Sequence, residues 1–262
     1  PSVLAAVESA GHRAILADVD EASLAIDPER IGPVDAVVAP HAYGAPADAR
    51  AIAAGGRPWI EDCATSPSAG GAARTGTLAV LSFAGTKYVT AGAGGAVLTD
   101  DETFAARIEW LLDMPPGGAD LWRGPPPPHL PGRLADLNAA VARVQLARLD
   151  EFHRRRRELA AVYGEALRGG PWRTPELRPE HGFYRYVLLT EAPAGPLAEA
   201  LRGRGIDARD SVNPWLHRRR PDLGGTFPVA DRIASRVLSL PIYPTLSDDE
   251  ADRIARTLRE LA

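Results

Sequence analysis

Lys87, two neighbouring carboxylates and a hydroxyl are the residues in this chain best placed by type and spacing to do chemistry together. Lys87 sits in a glycine-rich turn between runs at 78–84 and 95–99 that read as strands. Ser82 lies near the end of the first run. Upstream, a short strand around Trp59 runs into Glu61 and Asp62. A strand-end carboxylate, a strand-end hydroxyl and a turn lysine can meet at one edge of a parallel sheet, where open α/β sheets bind ligands. Enclosure there favours the neutral amine of a lysine, the form that acts as nucleophile or base. Such a set suits pyridoxal phosphate. The amine bonds to the aldehyde, and a carboxylate keeps the pyridine nitrogen protonated so that the ring acts as an electron sink. The phosphate takes hydroxyls, here Ser82, and backbone N–H groups. A lone lysine would read as a surface residue; the combination argues for a site.

The elements that must position these residues alternate along the chain. Residues 13–19, 35–39 and 57–61 read as strands, with helical stretches at 46–54 and 102–112. Asp27 suits the cap ahead of Pro28, and Pro46 suits a first helical position. Alternating strands and helices indicate an α/β fold with a mostly parallel sheet. Residues 115–131 are too rich in proline for helix and read as a connector or a loop edging a pocket. Leu134, Leu137, Val141, Val144, Leu149 and Phe152 predict one long helix over 134–167, packed along that stripe. The basic run 154–157 reads as its solvated face. Further on, a strand is expected at 182–190, a helix at 196–203, a short strand at 206–209 and a helix at 229–238. A last helix, to Leu261, opens on a Ser247–Glu250 capping box. The division expected is a large α/β domain at 1–150, then a long helix and small α+β domain at 151–262.

Composition narrows the function classes. With 262 residues, 45% hydrophobic and 24% charged, the chain is an ordinary globular protein able to bury a sizeable core. A net charge of -4 gives no case for nucleic acid or an anionic membrane surface. No apolar run reaches membrane-spanning length, so no membrane role is expected. The single cysteine, Cys63, rules out an internal disulfide and a cysteine-based metal cluster. No metal is expected, and a reducing cytoplasm is the default compartment.

The segments VVAPHAYGAPADARAI, WIEDCATSPSAGG, LSFAGTKYVTAGAGGAVLTDD and RLADLNAAVARVQLARLDEF resemble the DegT/DnrJ/StrS family of sugar aminotransferases, and SLPIYPTLSDDEADRI is similar to that family's closing motif. The resemblance runs in the family's order over nearly the whole chain. It implies the aspartate-aminotransferase fold (PLP-transferase fold type I) with a small C-terminal domain, usually as a homodimer with the active site at the interface. It also implies pyridoxal 5'-phosphate as cofactor, with transfer of an amino group from glutamate or glutamine to a keto group on a nucleotide-linked sugar or cyclitol, as in antibiotic biosynthesis. By the same resemblance Lys87 falls on the Schiff-base lysine and Asp62 on the carboxylate facing the pyridine nitrogen; both are the expected catalytic residues. Ser82 falls on the phosphate-binding serine, and Thr65 where the family has Gln, Glu or His near the ring.

The sequence also departs from the pattern. It begins near the family's Pro-Ser motif, so the phosphate-binding Gly-Thr turn that normally precedes it is expected to be missing. Pro131 replaces an Asn that reaches a partner subunit's phosphate, Ala93 a common Glu, and Met114-Pro115 a usual His-Gly. Two alternatives follow: a non-catalytic or half-site partner, including a heterodimer with a paralogue, or a pyridoxal-phosphate enzyme of another reaction type. Because the family's dehydratase relatives carry His at the lysine position, Lys87 favours transamination.

Overall fold

A computed structural model of the chain describes residues 1–67, 73, 75–113, 132–210 and 215–262. The expected connector at 115–131, Pro131 included, lies outside these residues, as does Met114. Helix α1 (Ser2–Ser9) opens the chain. Strand β1 (Val37–Pro40), helix α2 (Ala49–Ala54), β2 (Trp59–Asp62), β3 (Leu78–Ser82) and β4 (Gly95–Leu98) follow. They form one sheet in the order β1-β2-β3-β4, parallel across the first two pairs and antiparallel across the last. The mostly parallel sheet expected of an α/β fold is therefore present.

Alternation sets the sheet's two faces. Val37, Ala39, Trp59, Glu61, Ala79 and Leu81 point to the buried side. Val38, Ile60, Asp62, Val80 and Ser82 share the other, where Val80 and its partner Val97 are exposed.

Helices α3 (Glu102–Asp113), α4 (Asp136–Ala147) and α5 (Leu149–Leu167) come next. The single helix expected over 134–167 is thus two, parted at Arg148 (φ -98, ψ 6). The five-residue step from Val144 to Leu149 does not fit a 3.6 period, and the break absorbs it. On α4 the expected core stripe faces outward: Leu137, Val141 and Val144 are exposed, while Ala142 is buried. In the basic run, Arg154 and Arg157 are solvated as expected but Arg156 is buried. It lies in helical phase with Phe152, Leu159 and Tyr163, all buried.

Strand β5 (Tyr186–Leu189), helix α6 (Gly195–Gly203), the short α7 (Leu216–Arg219), α8 (Pro228–Ile233), β6 (Val237–Leu240) and α9 (Asp248–Leu261) complete the chain. β5 and β6 pair antiparallel, and α5, α6 and α9 pack with them around Leu159, Tyr163, Leu188, Leu201 and Leu258. The capping box of Ser247 and Glu250 starts α9 as expected.

Four expectations need correction. Residues 13–19 form no strand; Val19 makes one isolated bridge to Ile26. Buried Asp18 instead accepts the Val229 and Ala230 N–H groups at the start of α8, both at 2.9 Å, which ties the segment to a helix end. The helix expected at 229–238 stops at Ile233, because Val237–Leu240 supply the apolar strand that β5 needs. Residues 206–209 make only the Arg209–Ser239 bridge. Helix α2 begins at Ala49 under an Asp48 cap, so Pro46 precedes it.

Candidate active site

Strand register brings the first two site residues together. Asp62 pairs with Val80, and Ser82 lies two residues beyond Val80. Asp62 and Ser82 therefore end adjacent parallel strands on the same, more open face. Asp62 Oδ1 accepts the Ala64 N–H at 3.0 Å, which fixes the turn leaving β2.

Thr65 is bound into that edge by His41, which follows β1. Thr65 Oγ1 donates to the His41 carbonyl at 2.5 Å, and the His41 N–H donates to the Asp62 carbonyl at 3.1 Å.

Lys87 occupies a closed loop after β3. Its N–H donates to the Ala84 carbonyl, the Ala91 N–H to Phe83, and a bridge joins Ala84 to Gly92. Asn138 on α4 clamps the loop, donating to the Ala91 carbonyl at 2.5 Å. Lys87 is half-buried, whereas Tyr88 and Val89 beneath it are buried. Its Nζ lies over the Tyr184 ring, 6.0 Å from the centroid. Tyr184 is held by its hydroxyl, which donates to the Thr86 carbonyl at 3.0 Å.

Behind the edge, on the buried face, stands Glu61. It accepts from the N–H groups of Ala73, Thr75 and Gly76 and from the Thr75 hydroxyl. His41 Nδ1 accepts the Ala47 N–H, which leaves the ring proton on Nε2, 3.3 Å from Glu61. Burial alone would raise the Glu61 carboxyl, but the bonds from His41 and from the Gly76, Thr75 and Ala73 N–H groups outweigh it and hold it down at about 2. Cys63 completes the group, its thiol pushed up to about 12 by burial and by the nearby Glu61 charge. His41, Glu61 and Cys63 could face a metal ion by proximity. Their donors are instead spent on one another and on the backbone, and the thiol stays protonated.

A second buried group joins the lysine loop to α5. Tyr88 donates to the Gly182 carbonyl at 2.9 Å, and its oxygen lies 2.8 Å from His153 Nδ1. Arg156 stacks over the Tyr88 ring, 4.5 Å from its centroid, and donates to the carbonyls of Phe183, Tyr184 and Ile242. Burial, helped by Arg157 and Arg156 and opposed by Asp150, lowers His153 to about 4.

Tyr184, Tyr88, His153, Arg156 and His41 were not among the expected site residues. Arg156 was readable from its helical phase and Tyr88 from its place beside Lys87; Tyr184 is brought in from ninety-seven positions away and left no local signal.

An amine, a strand-end carboxylate and two hydroxyls at one sheet edge fit the donor set that pyridoxal phosphate needs. Fold and donor set together are those expected of an aminotransferase of the pyridoxal-phosphate type. The chain belongs to the DegT/DnrJ/EryC1/StrS aminotransferase family, which matches residues 1–259. Among solved structures it is similar to the aminotransferase TlmJ of Streptoalloteichus hindustanus, with 30% identity and a TM-score of 0.85 over 98% of this chain and 75% of that one. It is also similar to S. venezuelae DesV, crystallised with a ketimine intermediate: 29% identity, TM-score 0.84, 99% of this chain and 75% of that one. DesI, solved in the presence of its TDP-sugar product, gives 26% identity and a TM-score of 0.86, over 99% and 71%. The chain is accordingly a pyridoxal-phosphate-dependent aminotransferase. No helix among the described residues is long and apolar enough to cross a membrane.

Proposed function

We propose that this enzyme moves an amino group from glutamate or glutamine to a keto group on a sugar or cyclitol, carried as a nucleotide-linked sugar in specialised metabolism such as antibiotic biosynthesis. The observation that carries the reading is the register that puts Asp62 and Ser82 on one face, at the edge from which the Lys87 loop departs. The sugar class is supported by likeness to DesI and its TDP-sugar product.

In this reading Lys87 holds the cofactor's aldehyde carbon, Asp62 its pyridine nitrogen, Ser82 its phosphate, and Thr65 lines the ring. Bound there, pyridoxal phosphate supplies an electron sink for the carbanion left at the donor Cα. Lys87 Nζ, as a free amine, would take the proton from that Cα and give it up on the cofactor side rather than back to Cα, so one amine would serve as base and then as acid. The Asp62 carboxylate holds the proton on the pyridine nitrogen. Tyr184, its hydroxyl tied to Thr86, limits where Nζ can swing.

The proposed assembly is a homodimer, with pairing to a paralogue as the second reading. The exposed Leu137, Val141 and Val144 on α4 support an apolar contact. Purified protein titrated with pyridoxal phosphate should gain a visible absorbance band that Lys87→Ala lacks. No band at saturating cofactor would sink the reading, and light scattering with and without cofactor reads the assembly.

A further inference from the structure

Lys87 is the only lysine in the chain, and both of its neighbours are tied to one distant segment. On one side the Thr86 carbonyl accepts the Tyr184 hydroxyl at 3.0 Å. On the other the Tyr88 hydroxyl donates to the Gly182 carbonyl at 2.9 Å. The bonded residues lie 98 and 94 positions apart in sequence. The lysine between them is half-buried, its Nζ 6.0 Å from the Tyr184 ring centroid.

The segment that receives these bonds is itself fixed at both ends. The Gly182 N–H donates to the Gly44 carbonyl at 2.7 Å, and the Arg185 N–H to the Tyr43 carbonyl at 3.1 Å. Tyr43 (φ 57) and Phe183 (φ 49), on the two sides of this crossing, hold left-handed backbone although neither is glycine. Such residues persist where their surroundings over-determine them, and they gather at functional sites. Arg156 ties down the middle. It donates to the carbonyls of Phe183 and Tyr184, and to that of Ile242 beyond β6, while it covers the Tyr88 ring. β5 begins at Tyr186, so the residues on each side of the lysine are bonded straight to the entry of the β5–β6 pair. The lysine loop needs such support. Gly92 and Gly94 give it backbone freedom at positive φ, and the Asn138 clamp reaches only Ala91.

We infer that Tyr88 and Tyr184 are positioning residues for Lys87: as a pair they brace the lysine from both sides against segment 182–184, and so aim its amine from the C-terminal half of the chain. The use to which the amine is put rests on the aminotransferase reading; the brace does not. Neither hydroxyl has to touch substrate or cofactor. Both bonds end on one segment, so loss of either releases the same loop and the two act as one unit.

An amine reagent reads the brace without cofactor, because Lys87 carries the chain's only ε-amine. The full chain is labelled with trinitrobenzenesulfonate, and modification of Lys87 is followed by peptide mapping. Labelling should run about threefold or more faster in Tyr184→Phe and in Tyr88→Phe than in the wild type, and the double variant should gain less than the product of the two increases. Tyr163→Phe, which loses a bond to the Pro241 carbonyl in the C-terminal core, should label like the wild type. Pyridoxal phosphate, followed by its visible band, should bind both brace variants about tenfold or more weakly.

An unchanged labelling rate in either brace variant, an equal rise in Tyr163→Phe, or the full product in the double variant overturns the inference. So does faster labelling with unchanged cofactor affinity, which leaves a held loop but no aimed amine. Tyr184 is only half-buried, so Tyr184→Phe decides even where Tyr88→Phe does not fold. The two claims separate cleanly. No visible band from the wild type at saturating pyridoxal phosphate defeats the aminotransferase reading, and the labelling rates then judge the brace alone.

Discussion

The Tyr88 hydroxyl lies 2.8 Å from His153 Nδ1, and through this contact the residue next to the candidate catalytic lysine is bonded to a helix sixty-five positions away. The same hydroxyl donates to the Gly182 carbonyl, so its one proton is committed there and His153 donates in turn through Nδ1. Arg156 closes the group from above the ring. The loop that carries Lys87 is therefore set by the packing of α5 and of the segment entering β5, not by its glycines alone.

Tyr88→Phe should keep the ring stacking and lose both bonds. It leaves the Gly182 carbonyl and His153 Nδ1 short of partners in a buried place, which costs about 1–3 kcal/mol. Urea unfolding should show that loss. A variant as stable as the wild type would mean that the group does not hold the loop.

His153 also makes stability depend on pH. Its folded value, about 4, lies below the ordinary 6.5, so between these the unfolded chain binds a proton that the folded chain refuses. Its contribution is present above pH 6.5 and is lost as pH falls toward 4. His181, lowered to about 4 by burial, acts in the same window and the same direction. Melting temperature should fall from pH 6.5 to 4, and His153→Phe should flatten that slope in part. An unchanged slope would show that His153 is not the neutral buried imidazole described.

A chain crossing sets the third expectation. Gly44, at φ +96, packs against the backbone of residues 182–184, and a Cβ there would meet the Tyr184 nitrogen at 2.6 Å. Its carbonyl accepts the Gly182 N–H at 2.7 Å. Gly44→Ala adds positive-φ strain to a backbone clash and should cost more than about 2 kcal/mol, read as a lower urea midpoint. Because Tyr184 underlies Lys87, cofactor affinity should weaken with it.

How far the sequence disclosed this arrangement depended on the range of the interaction. Strand alternation around Trp59 and Leu81, the Asp27 and Ser247 caps and the lysine turn are local, and the structure keeps them. Segment 13–19 has strand composition, but its fate was decided by Asp18 meeting α8, over two hundred positions on. Residues 234–238 read as helix until β5 claimed Val237 and Leu238 as strand partners. The stripe on α4 is apolar but not core, because α4 is apolar on two sides and Ala142 faces in. Tyr184 reaches the lysine loop only through the fold, so no spacing could reveal it.

The adjacent carboxylates Glu61 and Asp62 supply the sharpest contrast. Neighbours on a strand point to opposite faces, so one is buried and the other stands at the open edge. Glu61 is held at about 2 against an ordinary 4.5, so its contribution is complete above pH 4.5 and is lost as pH falls toward 2. Glu61→Gln turns an acceptor of several N–H groups into an amide with one oxygen, and should cost on the order of 3 kcal/mol at pH 7. It should also remove part of the acid transition. Asp62→Asn keeps an oxygen for the Ala64 N–H, so stability should change by less than about 0.5 kcal/mol. What it loses is the charge proposed to hold a proton on the cofactor's ring nitrogen, and on that proposal kcat should drop about a hundredfold or more. Thermal melts and steady-state rates on the two variants check both halves. If Glu61→Gln proves the silent one for stability and Asp62→Asn the destabilised but active one, the assignment of these two side chains is reversed.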